Sequence, residues 1–185
     1  GKLRDYHLNK TIYAEKEGIH LIHIFEDEWL KKKEIVKSRL SNLFGKTDRI
    51  IYARKCKIKE IIGSDYIAFL NDNHLQGGTS TSIKLGLYYE DELVETMSFS
   101  KPRNISGNRN SNTIGEYELV RLCTKLNTAV VGGANKLLKY FEITYHPITI
   151  YSFADRRWTS RISNNVYESM GFTLESISDP GYWYL

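Results

Sequence analysis

The segment from Glu116 to Phe153 constrains this chain most. Tyr117, Leu119 and Arg121 to Cys123 set out a strand, which leads to Val130-Val131 and then Gly132-Gly133. A helical spacing follows at once in Ala134, Leu137, Leu138 and Phe141. Pro147 ends it, and Ile148 to Tyr151 reads as a second strand. Strand, glycine turn, helix and strand together have the length of a βαβ crossover, which calls for a sheet with helices packed on it.

The turn carries the chemical interest. Glycine reaches backbone angles closed to other residues and lets a ligand approach the main chain. A helix starting near Gly133 leaves its first N–H groups without internal partners, and such a start attracts an anion, phosphate above all. The same two glycines equally serve as a plain tight turn.

Apolar residues make up 41% of the 185 and aromatic residues 12%, enough for a real core. The thirteen tyrosines suit core packing and also stacking on a polar ligand. The net charge of +4 is uneven: residues 1–59 carry +7 and residues 60–185 carry −3. A basic N-terminal part suits a polyanion such as DNA, and equally a solvated face. Cys56 and Cys123 have no CxxC partner, which points away from zinc and towards a reducing compartment. No apolar run approaches the ~20 residues of a membrane span, and no signal peptide is visible.

Residues 4–17 read as a helix closed by Gly18, Ile19 to Phe25 as a strand, and Glu28 to Leu43 as a helix opened by Glu26-Asp27-Glu28. This helix–strand–helix appendage (1–45) and a polar link (46–49) precede the main domain (50–185). The acidic triplet is read as helix-start chemistry and no metal site is expected. Ile50 to Ile61 reads as one strand with a basic face that includes Lys55 and Lys57, followed by a helix from Ser64 or Asp65 to Leu70. Ile83 to Tyr89 and Leu93 to Phe99 form an antiparallel hairpin. Pro102 to Thr113 is a long polar loop containing Arg103. After the crossover come an arginine-rich turn (155–163), a short helix (164–170) and closing strands at 172–177 and 182–185. The expected class is α/β (α+β), a mixed central sheet with flanking helices.

Several side chains are candidates for chemistry. His74, in a turn beside Gln76, suits proton transfer from an amine, and equally a backbone contact. Arg121 lies inside an apolar strand, on the face opposite Glu118, so it needs a partner such as Asp155 or a ligand anion. Asp155-Arg156-Arg157-Trp158 follows a strand end, where arginines and an indole suit a phosphate and a base; Arg161 extends that patch. Core use of Trp158 stands beside that reading, and Cys123 reads as core.

Three resemblances add to this. Gly132 and Ala134 match the last two positions of the [Gln/Arg]-x-x-Gly-x-[Gly/Ala] turn of the GNAT superfamily of N-acetyltransferases, with Ala129 departing from its first position. Tyr167-Glu168-Ser169-Met170-Gly171-Phe172 is similar to that superfamily's Tyr-x-x-x-Gly-Phe segment. The resemblance covers residues 50–185. It implies a GNAT-like fold, acyl-coenzyme A held by Val131, Gly132, Gly133, Ala134 and Asn135, and Tyr167 as general acid. His74, Arg121 and Asp155 complete the candidate catalytic set.

The strings DYHLNKT and EKEGIHLIHIFEDEW resemble the tail of very-short-patch-repair-like homing endonucleases of phages, with His7 in place of a helix histidine of that family. The family's metal-binding carboxylates are absent here, so no nuclease activity is expected. HLQG, LGLYYEDELV and SFADRRW resemble a Mom-like domain of phage proteins. That likeness implies transfer of an acyl-type group to a DNA base, in the cytoplasm of a phage-infected or prophage-carrying cell. Lys55, Lys57, Arg103, Arg156, Arg157, Trp158 and Arg161 are the candidate DNA contacts. A DNA-recognition domain without chemistry and a small-molecule N-acetyltransferase remain open beside it.

Overall fold

The computed structural model describes residues 5–101, 114–159, 162 and 165–178. In chain order the helices and strands are α1 (Tyr6–Lys16), α2 (Glu26–Lys31), α3 (Lys33–Leu43), β1 (Arg49–Tyr52), β2 (Lys57–Glu60), α4 (Gly63–Asn73), β3 (Ile83–Tyr89), β4 (Glu92–Ser100), β5 (Glu116–Thr124), β6 (Thr128–Val131), α5 (Gly133–Tyr145), β7 (Thr149–Ser152) and α6 (Val166–Ser169). The chain forms two compact units: Phe25–Phe153, and a second built from the residues up to Ile24 together with those from Ala154 onward.

The larger unit is a mixed α/β fold. Its central sheet has the order β2-β3-β4-β5-β7, antiparallel except for the parallel β5–β7 pair. That parallel pair is the crossover expected from the sequence, with α5 as its helix. β4 is buried from Val94 to Phe99, because helices cover both of its faces. On one face Phe99 stacks on Phe141 of α5, with ring centroids 3.6 Å apart. On the other, the Tyr66 hydroxyl of α4 meets Ser98 Oγ at 2.6 Å. By strand alternation Glu95, Met97 and Phe99 face α5, whereas Thr96 and Ser98 face α4. Ile61, Tyr66, Leu70 and Cys123 fill the α4 side.

The stretch 50–61 is not one strand. A 3-10 turn at Ala53–Lys55 divides it into β1 and β2, which join different sheets. β1 pairs in parallel with β6, with Tyr52 opposite Val131. Glu92 ties this small sheet to the hairpin, accepting from Arg49 at 2.9 Å and from Lys125 at 2.5 Å. Asn73 Oδ1 and Ser38 Oγ accept the N–H groups of Leu126 and Asn127, each at 2.8 Å, which fixes the path from β5 to β6.

In the smaller unit, residues 19–24 were expected as part of a strand and lie in none. Their alternation serves side-chain contacts instead: His23 Nε2 lies 3.0 Å from Thr11 Oγ1, and His20 Nε2 lies 3.2 Å from the Arg157 carbonyl. The helix expected from Glu28 to Leu43, in the larger unit, is two helices broken at Lys32. Residues 172–178 form no strand either, and 182–185 lie outside the described residues.

Candidate functional site

The two glycines at the start of α5 are required for different reasons. Gly132 caps the helix in the left-handed region, φ 76°, where a side chain is strained. Gly133 is required by proximity: a Cβ there would lie 1.6 Å from Glu95 Oε2. The Glu95 carboxyl therefore occupies the space of the missing side chain, against the first residue of the helix.

Glu95 is 4% exposed. Its Oε1 accepts from Thr124 Oγ1 at 3.2 Å, while buried Oε2 has no hydrogen-bond partner. Burial pushes its pKa up to about 8, against a small opposing effect of the Thr124 bond. The acid is thus neutral at neutral pH and ionises just above it. Lys136, one turn into α5, donates to the carbonyls of Ala53 (2.9 Å) and Cys56 (2.6 Å), locking the helix start to the 3-10 turn. The Cys56 thiol is buried and raised, chiefly by that burial.

The expected cofactor residues are thus placed in a row. Val131 ends β6, Gly132 and Asn135 are exposed, and Gly133 and Ala134 are buried. No side chain caps this helix start. An exposed start with a neutral acid behind it fits a phosphate, since nothing in that pair carries a negative charge at neutral pH.

His74 and Arg121 gather on the opposite face of the sheet. Arg121 pairs across strands with Ser98, on the α4 side, and its Nη1 donates to the Val120 carbonyl at 2.8 Å. His74 Nδ1 accepts the Gln76 N–H at 3.2 Å. Burial, then Arg121, Arg39 and Lys32, push the His74 pKa down to about 3. The imidazole held at that pKa stays neutral and is a weak proton acceptor. Cys123, on the same side, is raised to about 12 by burial, in keeping with a core thiol.

Asp155 and Tyr167 belong to the smaller unit. Asp155 pairs with Arg157, Nη2 to Oδ2 2.6 Å. Tyr167 is half-buried and meets Phe172 edge-on at 5.9 Å. Arg156 is held by Glu15 at 2.6 Å. Trp158 is buried at 8% exposure, so its ring is not offered for stacking on a base, a correction to that expectation. Lys55 and Lys57 are exposed. Arg103 and Arg161 lie outside the described residues. Among the described residues no cluster of His, Cys, Asp and Glu could hold a metal ion, and no helix is long and apolar enough to cross a membrane.

The residue that sequence reading missed is Glu95. A signal for it exists: it is the one charge in the run Leu93 to Phe99, in a strand that is buried on both faces.

The sequence matches no protein-family profile and no curated protein. Among solved structures, the chain is similar to an acetyltransferase of the GNAT family from Streptococcus pneumoniae TIGR4. The identity is 13%, the match covers 64% of this chain and 86% of that one, and the TM-score is 0.46.

Proposed function

We propose that the Phe25–Phe153 unit is an acyltransferase domain that moves an acyl group from acyl-coenzyme A to an amine of a DNA base. The observation that carries this is the buried Glu95 carboxyl, its Oε2 without a hydrogen-bond partner, set against Gly133 at the start of α5. The turn motif at Gly132 and Ala134 gives the donor class. Bound there, acyl-coenzyme A would supply an activated thioester carbonyl.

The chain's own residues do the rest. The N–H groups at the start of α5, from Gly133 to Asn135, hold the phosphate. In its ionised form, the minority at neutral pH and a growing share as pH rises towards about 8, Glu95 takes the proton that the amine sheds as its nitrogen bonds to the acyl carbon. Its raised pKa brings it near the operating pH, where a general base works best. The departing thiolate takes a proton from solvent. The exposed lysines at 55 and 57 support the choice of DNA as acceptor.

The test is to incubate the protein with acetyl-coenzyme A and duplex DNA, digest the DNA, and analyse its nucleosides by mass spectrometry. An acetylated nucleoside is expected from the wild type, with at least a hundredfold less from Glu95→Gln. No modified nucleoside, and no thermal shift with acetyl-coenzyme A, would overturn the proposal. The second reading, DNA recognition without chemistry, is favoured by the same lysines. It predicts salt-dependent duplex binding with no response to the donor.

A further inference from the structure

A groove of about 230 Å³ opens beside β1, lined by Arg49, Ile50, Ile51, Tyr52, Lys55 and Tyr89. It lies at the same end of the β1–β6 pair as the start of α5: Tyr52 is opposite Val131, and a Cβ on Gly132 would lie 3.9 Å from that of Ala53. Tyr52 is 46% exposed, and the Arg54 guanidinium sits 5.1 Å from its ring centroid. Arg49 is neutralised by Glu92, which Lys125 also engages. Lys55 is exposed and forms no ion pair among the described residues. From Arg54 to Lys59 the chain carries four cations and no acid.

We infer that this groove binds a phosphorylated nucleoside, its base on the faces of Tyr52 and Tyr89 and its phosphate on Lys55. Three features select that ligand. Tyrosine faces stack any planar base, and such stacking with a cationic track is how single strands are held. The ammonium of Lys55 is a point charge suited to phosphate. The volume falls below the ~300–1,000 Å³ of drug-sized sites, which suits one ring at a time. Arg54 already covers one face of Tyr52, so a base adds to the other. The site deepens the transferase reading, since it gives a nucleoside of acceptor or donor a place beside the start of α5, but binding to it requires no transfer.

The phosphorylated nucleoside has two sources, a DNA strand or a free nucleotide. The experiment is fluorescence anisotropy with a labelled thymidine strand of about eight nucleotides, inside the ~4–16 range of such sites, and with ADP as competitor, both without acyl donor. Strand binding that resists ADP assigns the groove to a strand, and displacement by ADP assigns it to a free nucleotide. Either result supports the site if Tyr52→Ala and Tyr89→Ala each weaken binding about tenfold. Tyr52→Phe should bind as the wild type does, and Lys55→Gln should lower the salt slope by about 0.7. Far-ultraviolet circular dichroism checks that the variants are folded. Failure of both probes to bind, or binding indifferent to both ring removals, overturns the inference. Intact ring-dependent binding with no acyl transfer would instead sink only the transferase reading.

Discussion

Two ionisable side chains, buried Glu95 and partly buried His74, pull the stability of this protein in opposite directions along the pH scale. Glu95 is raised from 4.5 to about 8, so the folded state holds a proton that the unfolded chain has lost. Stability therefore falls as pH rises from about 4.5 to about 8, by up to ~1.4 kcal/mol per pH unit. His74 is lowered from 6.5 to about 3, so the unfolded chain holds the extra proton. Its contribution is complete above about 6.5 and is lost as pH falls towards about 3. The two slopes cancel between about 4.5 and 6.5, and only the Glu95 slope remains from there to about 8. Urea unfolding of the wild type should show stability declining across that upper range. Glu95→Gln should abolish the decline and be the more stable protein at pH 8. A wild type whose midpoint is level from pH 6.5 to 8 would mean that Glu95 is not a buried neutral acid. His74 was visible in the sequence because a turn histidine stands out, but its neutrality depends first on burial and then on Arg121, Arg39 and Lys32, which come from other parts of the chain. Glu95 was hidden because a strand pattern does not say that both faces will be covered.

At the scale of elements, β5, α5 and β7 were legible because apolar spacing and a glycine turn agree along one continuous stretch. The split between β1 and β2 was not, since a 3-10 turn at Ala53–Lys55 leaves the apolar–basic alternation almost intact. The β3–β4 hairpin was legible from its two alternating strands, although Glu90 and Asp91 take positive φ, 48° and 64°, without the Asn or Gly that announces such a turn. The start of α5 yields a prediction that backbone angles alone would order wrongly. Only Gly132 has positive φ, so it looks the more restrictive of the pair. Gly132→Ala should cost about 1–2 kcal/mol through backbone strain. Gly133→Ala should cost about 3 kcal/mol or more, because a new methyl must displace a buried carboxyl. In a Glu95→Ala background the Gly133→Ala cost should fall to about 1–2 kcal/mol, since Val130 Cγ1 still lies 2.8 Å from the new methyl, while that of Gly132→Ala is unchanged. Equal, additive costs in the two backgrounds would show that Glu95 does not fill the space at Gly133.

At the scale of the molecule, the striking departure from a linear reading is that the two ends of the chain share one unit. A division near residue 45 follows from the local pattern of elements, in which a helix, a strand and a helix end at Gly45. The contacts follow a different logic. Glu15 of α1 meets Arg156 at 2.6 Å across 141 positions, and both side chains are less than a quarter exposed. Thr11 is held by His23, and His20 by the Arg157 carbonyl, so α1 has partners both nearby and at the far end of the sequence. α1 buries no residue of its own, which leaves these polar contacts a large share of what orders it. Arg156→Ala should therefore speed amide exchange in Tyr6–Lys16 about fivefold, the equivalent of ~1 kcal/mol. Exchange in β3, β4 and β5 should not change, since those strands draw their protection from the Phe99–Phe141 side and the Tyr66 side of the central sheet. Hydrogen-exchange mass spectrometry reads both regions in one experiment. Equal acceleration in α1 and in the sheet would mean that the chain opens as a single cooperative body, and α1 would then owe its order to the whole fold and not to one arginine.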